Sequence, residues 1–254
     1  MTGVFDRLRA ALRAARRGKP RGRALYAEEV RALARPGEIL SVVVVGANDG
    51  RLNDPMHRIM RGWLASSSRI LLVEPQRQLA PLIRKNYAFH PDVTVVEAAV
   101  GAPGETTFYA VSEAFWSRLQ PPYARKWPLY RAPTGVTSAD PERVRRWIRQ
   151  VGQGAVDADQ AMISFTTRVA PLRTILEEAG FPARIDVLQV DAEGMDDAVL
   201  AHADLDVTQP RLIHVETSML PRERAEAMLA RFAPRYDLVE AGANTLFRLR
   251  DARV

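Results

Sequence analysis

The sequence predicts an α/β fold: a doubly wound, mostly parallel sheet whose last strand runs antiparallel. Three observations predict it. Continuous β-branched runs such as "ILSVVVVG" (39–46) mark strands buried on both faces, as parallel strands are when helices cover them. These runs alternate with stretches of helical period. The chain then closes on two strand-like segments around Gly242, a hairpin that reverses the final strand. A length of 254 residues suits one large domain with a sizeable core.

The elements follow in order. The run 39–46 is the first strand, and a helical stretch covers roughly 54–65. "RILLVEP" (69–75) is the second strand. "QLAPLIRKNYAF" (78–89) is a helix with Leu79, Leu82, Ile83 and Tyr87 on one stripe. "VTVVEAAVG" (93–101) reads as a third strand and "ETTFYAV" (105–111) as a short fourth. Residues 112–162 show no strand period, carry three of the four tryptophans, and contain one helix at 141–150. A stretch that long is more often a functional insertion than a plain connection. Regularity resumes with "ISFTTRVAP" (163–171), a helix to Gly180, the strand 185–191, a helix over 195–203, the strand 211–217 and a helix over 221–232. The expected organisation is a basic helical arm (1–36) and one domain (37–254) bearing an aromatic-rich insertion or lid.

Composition narrows the function. Hydrophobic residues make up 47% and charged residues 26%, ordinary for a soluble globular chain. Without cysteine there can be no disulfide, thiolate nucleophile or zinc–thiolate site, and a cytoplasmic location is the expectation. No apolar run approaches the roughly 20 residues of a membrane-spanning helix, and no signal-peptide core opens the chain. The net charge of +6 is concentrated in residues 1–36, which hold ten Lys/Arg against Asp6, Glu28 and Glu29. That arm, with a helix at 4–15 and another at 25–34, could meet an anionic membrane surface, nucleic acid or a phosphorylated substrate. A narrow apolar stripe and scarce aromatics favour a helical appendage packed on the domain or covering its pocket.

The first strand ends in "VVVVGANDG". Gly46 and Gly50 stand where strand becomes helix, and glycine there lets backbone approach a ligand closely. The second strand ends in Glu74, the place where doubly wound folds hold ribose hydroxyls. The turn lacks the three glycines of a dinucleotide fingerprint. Asp49 would repel a pyrophosphate but could hold an ammonium, which favours S-adenosylmethionine over a nicotinamide cofactor. The bland alternative is that Gly46 merely ends a strand and Glu74 is an exposed acid.

These pieces, "VVVVGANDGRLNDP" (42–55), "ILLVEPQ" (70–76), "NYAFHPDVTVVEAAVG" (86–101), "ISF" (163–165), "IDVLQVDAEGMDDAVL" (185–200) and "RLIHVET" (211–217), resemble the FkbM-family methyltransferases in that family's order. The resemblance implies a seven-stranded, Rossmann-like methyltransferase sheet that uses S-adenosylmethionine and releases S-adenosylhomocysteine. It places Gly46, Ala47, Asn48, Asp49 and Gly50 around the methionine part and Glu74 on the ribose. Pro75, Gln76, Ala98 and Ala99 would then border the adenine. Asp191 and Glu193 would face the sulfonium and the acceptor. The arm and residues 112–162 fall outside it.

The acids of "DVLQVDAEGMDD" (186–197) admit three readings. Asp191 and Glu193 could position the cofactor's ammonium and the acceptor, one of them as base. With Glu216 they could hold a divalent cation that lowers a hydroxyl pKa. Or they could only cap the following helix. The first is preferred, with no metal. Asp196 and Asp197 read as solvated first-turn acids. His57, at a helix start on the ligand side, is a candidate base or a surface histidine. His214 reads as a satisfied interior histidine, Glu216 as the better candidate, and His90 and His202 as loop or surface residues. The aromatics of the insertion form a lid, a small core of their own or a homodimer contact. The expected function is O-methylation of a hydroxyl of a small-molecule natural product or saccharide, by in-line transfer, with no nucleic-acid partner. A metal-assisted sugar O-methyltransferase or an N-methyltransferase is the rival enzyme. A nucleic-acid or membrane-binding module on a degenerate fold is the rival outside enzymes.

Overall fold

The first strand, β1 (Leu40–Val45), is buried at all six positions, as its β-branched run predicts. The computed structural model describes residues 22–250. In it β1 pairs in parallel with β2 (Ser68–Val73) on one side and with β7 (Val187–Val190) on the other. Beyond β2 lies β3 (Val93–Val96), and beyond β7 lies β8 (Leu212–Glu216), both parallel to their neighbours. The hairpin of β9 (Tyr236–Ala241) and β10 (Asn244–Leu249) completes a seven-stranded sheet of order β3-β2-β1-β7-β8-β10-β9. β10 is antiparallel to both β8 and β9, so the last strand alone runs against the rest.

Alternation along the strands splits the core in two. Val43 and Val45 join Leu71, Leu188 and Ile213 on one face, whereas Val42 and Val44 join Ile70, Leu72 and Leu212 on the other. The helix Gly22–Leu33 buries Leu25, Tyr26 and Val30 into the second of these cores. The second helix expected in the arm therefore packs into this core. The helix expected at 4–15 lies outside the described residues.

Three expected strands are placed differently. The segment 93–101 breaks at Glu97-Ala98: β3 joins the main sheet, and β4 (Ala99–Val100) starts a second one. The fourth strand, β5 (Gly104–Val111), and the strand after the insertion, β6 (Met162–Ala170), belong to this second, three-stranded sheet of order β4-β6-β5. The helical stretch 54–65 is a short α-helix, Pro55–Ile59, that widens into a π turn over Met60–Leu64. Between β5 and β6 the insertion folds largely as helices. The longest, Pro141–Gly152, is started by Asp140, which accepts from the Glu142 N–H at 2.9 Å, with proline in its first turn. Its Val144 and Ile148 pack with Val111, Leu119 and Val156 into a small separate core.

Candidate active site

The order β2-β1-β7 makes a topological switch point: chain connections leave β1 in opposite directions, opening a crevice at the strands' carboxyl ends. A cavity of about 280 Å³ occupies it, bordered by Gly46, Asn48, Glu74, Ala98, Thr137 and Asp191. Gly46 has φ 79°, and a Cβ there would lie 1.9 Å from the Asp191 carbonyl oxygen. Only glycine lets the turn after β1 pass against the end of β7. That contact brings the glycine turn and the acidic loop into one wall.

Glu74 is 4% exposed. Its Oε2 accepts from the Asn48 N–H at 2.7 Å, and its Oε1 from the N–H and side-chain amide of Gln76, both at 3.0 Å. Burial pushes its carboxyl up, and these donors pull it back. Oε2, with one donor, retains a lone pair for a ligand hydroxyl. Ala47, Pro75, Gln76 and Ala99 also border the cavity.

Asp49 does not. Its Oδ1 accepts from the N–H groups of Arg51 and Leu52, both at 2.9 Å, and its Oδ2 from the Tyr130 hydroxyl at 3.1 Å. The carboxylate expected to hold an ammonium instead ties the glycine turn to the insertion. Gly50 lies behind the wall against the Tyr87 ring. The insertion grips the same region further: Thr137 donates to Gln76 Oε1 at 2.9 Å, and Arg131 Nη2 to the Leu52 carbonyl at 3.0 Å.

A second cavity, of about 570 Å³, opens between the insertion and the main sheet. Tyr123, Trp127 and Trp147 line its outer side, and His214 and Glu216 its inner side. Asp191 and Glu193 border both cavities. The insertion thus both fills a small core of its own and walls this cavity.

Asp191 is pushed well above the carboxylate range by burial first, then by the charges of Glu193 and Glu216. Glu193 has φ 51°, a strained backbone for a residue with a side chain, and Arg143 from the insertion donates to it at 2.6 Å. Its side chain is 34% exposed. Loss of bulk water raises it to about 7, with Glu216 adding and Arg143 opposing. Neither acid caps the helix Asp196–Ala201, which has no side-chain cap. Asp196, expected to be solvated, is fully buried and accepts from the N–H groups of Ala192 and Gly194, both at 3.1 Å. It holds the loop that presents Asp191 and Glu193, and burial raises it to about 6. Asp197 pairs with Arg224.

His57 is displaced from the expected site. It is buried, its Nε2 lies 3.2 Å from the Asn86 carbonyl oxygen, and its ring meets Tyr87 and Phe89 edge-on. It borders neither cavity. His90 is buried against the Ser68 hydroxyl rather than at the surface, and His202 borders the first cavity. His214 is interior but unsatisfied, since its Nδ1 has no partner. Among the described residues no group of three His, Asp or Glu side chains is arranged to hold a metal ion.

Arg131, Thr134, Thr137 and Arg143 were not singled out from the sequence. The helix-start signal Asp140-Pro141 could have placed Arg143 in a first turn, but nothing local says which acid it meets.

The raised carboxyls predict a pH dependence. Groups whose folded-state pKa lies above the unfolded value contribute stability that is present at low pH and lost as pH rises through the folded pKa. With Asp196 at about 6 and Glu193 at about 7, the ligand-free protein is expected to lose Tm between about pH 4 and pH 7. Glu193→Gln should flatten the upper part of that fall. Thermal melts across this range check it, and a Tm that climbs throughout would contradict it.

A sheet with β10 reversed beside β8, a glycine turn after β1 and an acid ending β2 fit the Rossmann-like fold of S-adenosylmethionine-dependent methyltransferases. The model of the Methyltransferase FkbM domain matches residues 45–237, and the chain belongs to that family. Solved structures similar to it include the precorrin-6y C5,15-methyltransferase of Geobacter metallireducens, with 12% identity over 89% of this chain and 84% of that one and a TM-score of 0.41. Another is a TehB-like SAM-dependent methyltransferase from Corynebacterium glutamicum, with 10% identity, 97% and 96% coverage and a TM-score of 0.40. No functionally curated protein matches the chain significantly.

The site's chemistry fits the methyl donor. Two carboxylates that repel one another at the junction of the cavities suit a ligand carrying positive charge, and the buried Glu74 suits a ribose.

Proposed function

We propose that the enzyme methylates a hydroxyl oxygen of a small-molecule natural product or saccharide. The observation that carries this reading is that Asp191 and Glu193 border both cavities, so donor and acceptor meet at a carboxylate pair. S-adenosylmethionine supplies an electrophilic methyl group when bound. Gly46, Ala47 and Asn48 would hold its amino-acid part, Glu74 its ribose, and Pro75, Gln76, Ala98 and Ala99 its base. Asp191 or Glu193 accepts a hydrogen bond from the acceptor hydroxyl, fixes it in line and takes its proton. A carboxyl raised to about 7, as Glu193 is, suits that role near neutral pH. Holding the geometry supplies much of the acceleration.

The second cavity supports a polyhydroxylated acceptor. Tyr123, Trp127 and Trp147 offer faces for the C–H surface of a ring, and Asn53, Gln150 and Asn244 offer hydrogen bonds to its edges. The test is transfer of label from methyl-labelled S-adenosylmethionine to matched panels of glycosides and amines. Label in an alkali-stable ether of a glycoside is expected. Label in amines alone would replace this reading with N-methylation.

A further inference from the structure

Gln189 and His214 are polar side chains buried in the middle of a sheet face. They are register partners on β7 and β8, flanked by Val44 on β1 and Leu246 on β10, both buried. Both border the second cavity. Gln189 is 3% exposed and His214 6%. The Gln189 amide is held one way round, because its Nε2 donates to Asp54 Oδ1 at 2.9 Å. That carboxylate already takes the Met56 N–H at 2.9 Å and the Tyr87 hydroxyl at 3.2 Å. Gln189 Oε1 is therefore fixed as an acceptor, and it has no partner.

His214 Nδ1 has none either. Its ring stacks with centroids 4.2 Å apart on Tyr26, which is fully enclosed and borders neither cavity. Burial lowers the imidazole to about 4, so it is neutral and offers one donor and one acceptor. About 90% or more of buried polar groups in proteins are paired, so two orphans on register partners that border one cavity point to a partner from outside the chain.

The strand period relates these groups to the carboxylates. Asp191 lies two residues beyond Gln189, and Glu216 two beyond His214, on the same face of the sheet and nearer the strand ends. Two residues of strand span about 6–7 Å, roughly the width of one sugar ring.

We propose that Gln189 and His214 form a neutral hydrogen-bonding subsite for a non-reacting hydroxyl of a polyhydroxylated acceptor, holding its reacting hydroxyl at Asp191 and Glu193. The proposal rests on the O-methylation reading and adds to it the residues that position the acceptor.

The test is calorimetric titration of the full chain, saturated with S-adenosylhomocysteine, with methyl β-D-glucopyranoside and its singly deoxygenated counterparts. Gln189→Met keeps the side chain's length and removes the orphan acceptor; His214→Phe removes the imidazole. Both variants should bind the glycoside about tenfold more weakly. At least one deoxygenated glycoside should bind wild type and Gln189→Met equally. A purely structural glutamine would behave otherwise, since its replacement would change Tm and leave glycoside affinity unchanged. Unchanged affinity in both variants would overturn the subsite, and so would wild-type protein that binds S-adenosylhomocysteine but none of the glycosides. Either result leaves O-methylation to be judged by the label-transfer panels. If His214→Phe does not fold, Gln189→Met decides alone.

Discussion

An Asp191→Asn enzyme is expected to transfer methyl groups about 100- to 10,000-fold more slowly than wild type. The substitution keeps the side chain's shape and removes its charge. Asp191 is the deepest acid at the junction of the two cavities, and Glu193 and Glu216 both raise it. Removing its charge relieves that repulsion, so the variant should fold. Glu193→Gln separates the roles. If Glu193 is the base, wild-type kcat rises with pH through about 7 and the Gln variant loses that limb. The measurement is kcat together with the affinity for S-adenosylhomocysteine, on each variant. A collapse of affinity with kcat intact would move Asp191 from the acceptor to the cofactor's ammonium.

Glu74→Ala is expected to weaken S-adenosylhomocysteine binding by about 100-fold or more. A hydrogen bond to a buried charge is worth about 1.5–3 kcal/mol, and this carboxylate is positioned for ribose hydroxyls. It also accepts from the Asn48 N–H and from Gln76 twice, so the truncation leaves three donors without an acceptor and loosens the glycine turn. Glu74→Gln should fall between, because its amide keeps one acceptor and turns a second donor toward a donor. Calorimetry on folded variants checks this. Wild-type affinity in Glu74→Ala would mean that the cofactor's ribose is held elsewhere.

The sheet was legible because its central strands announce themselves. "VVVV" and "ILLV" are buried on both faces, and no other element tolerates so continuous a β-branched run. The second sheet was not. Its strands β5 and β6 have ordinary strand sequences, and which sheet they join depends on partners more than fifty residues apart. In the candidate site, positions were readable and directions were not. Gly46, Glu74 and Asp191 end strands at the switch point, and their strands aim them into the cleft. Asp49 and His57 follow the same turn, but loop geometry turns one toward Tyr130 and the other toward Asn86. Asp196 looked like any first-turn acid until the N–H groups of Ala192 and Gly194 showed its function. Arg143 meets Glu193 across fifty residues of sequence, a pairing no local pattern encodes.

The insertion leaves and rejoins the chain at a single rung. Val111 at the end of β5 and Met162 at the start of β6 are register partners. Everything between them, the Trp147 face and Arg143 included, is therefore a plug inserted at one crossbar of a ladder. Such a joint tolerates exchange. Lengthening, shortening or replacing residues 112–161 alters one rim of the second cavity while the seven-stranded sheet, Glu74 and the acidic loop keep their own covalent frame. Selection, or a protein engineer, can reshape that cavity by editing one contiguous cassette. The ties it must carry over include Tyr130 to Asp49, Arg131 to Leu52, Thr134 to Asn48, Thr137 to Gln76 and Arg143 to Glu193, the stitches to the glycine turn, the end of β2 and the acidic loop.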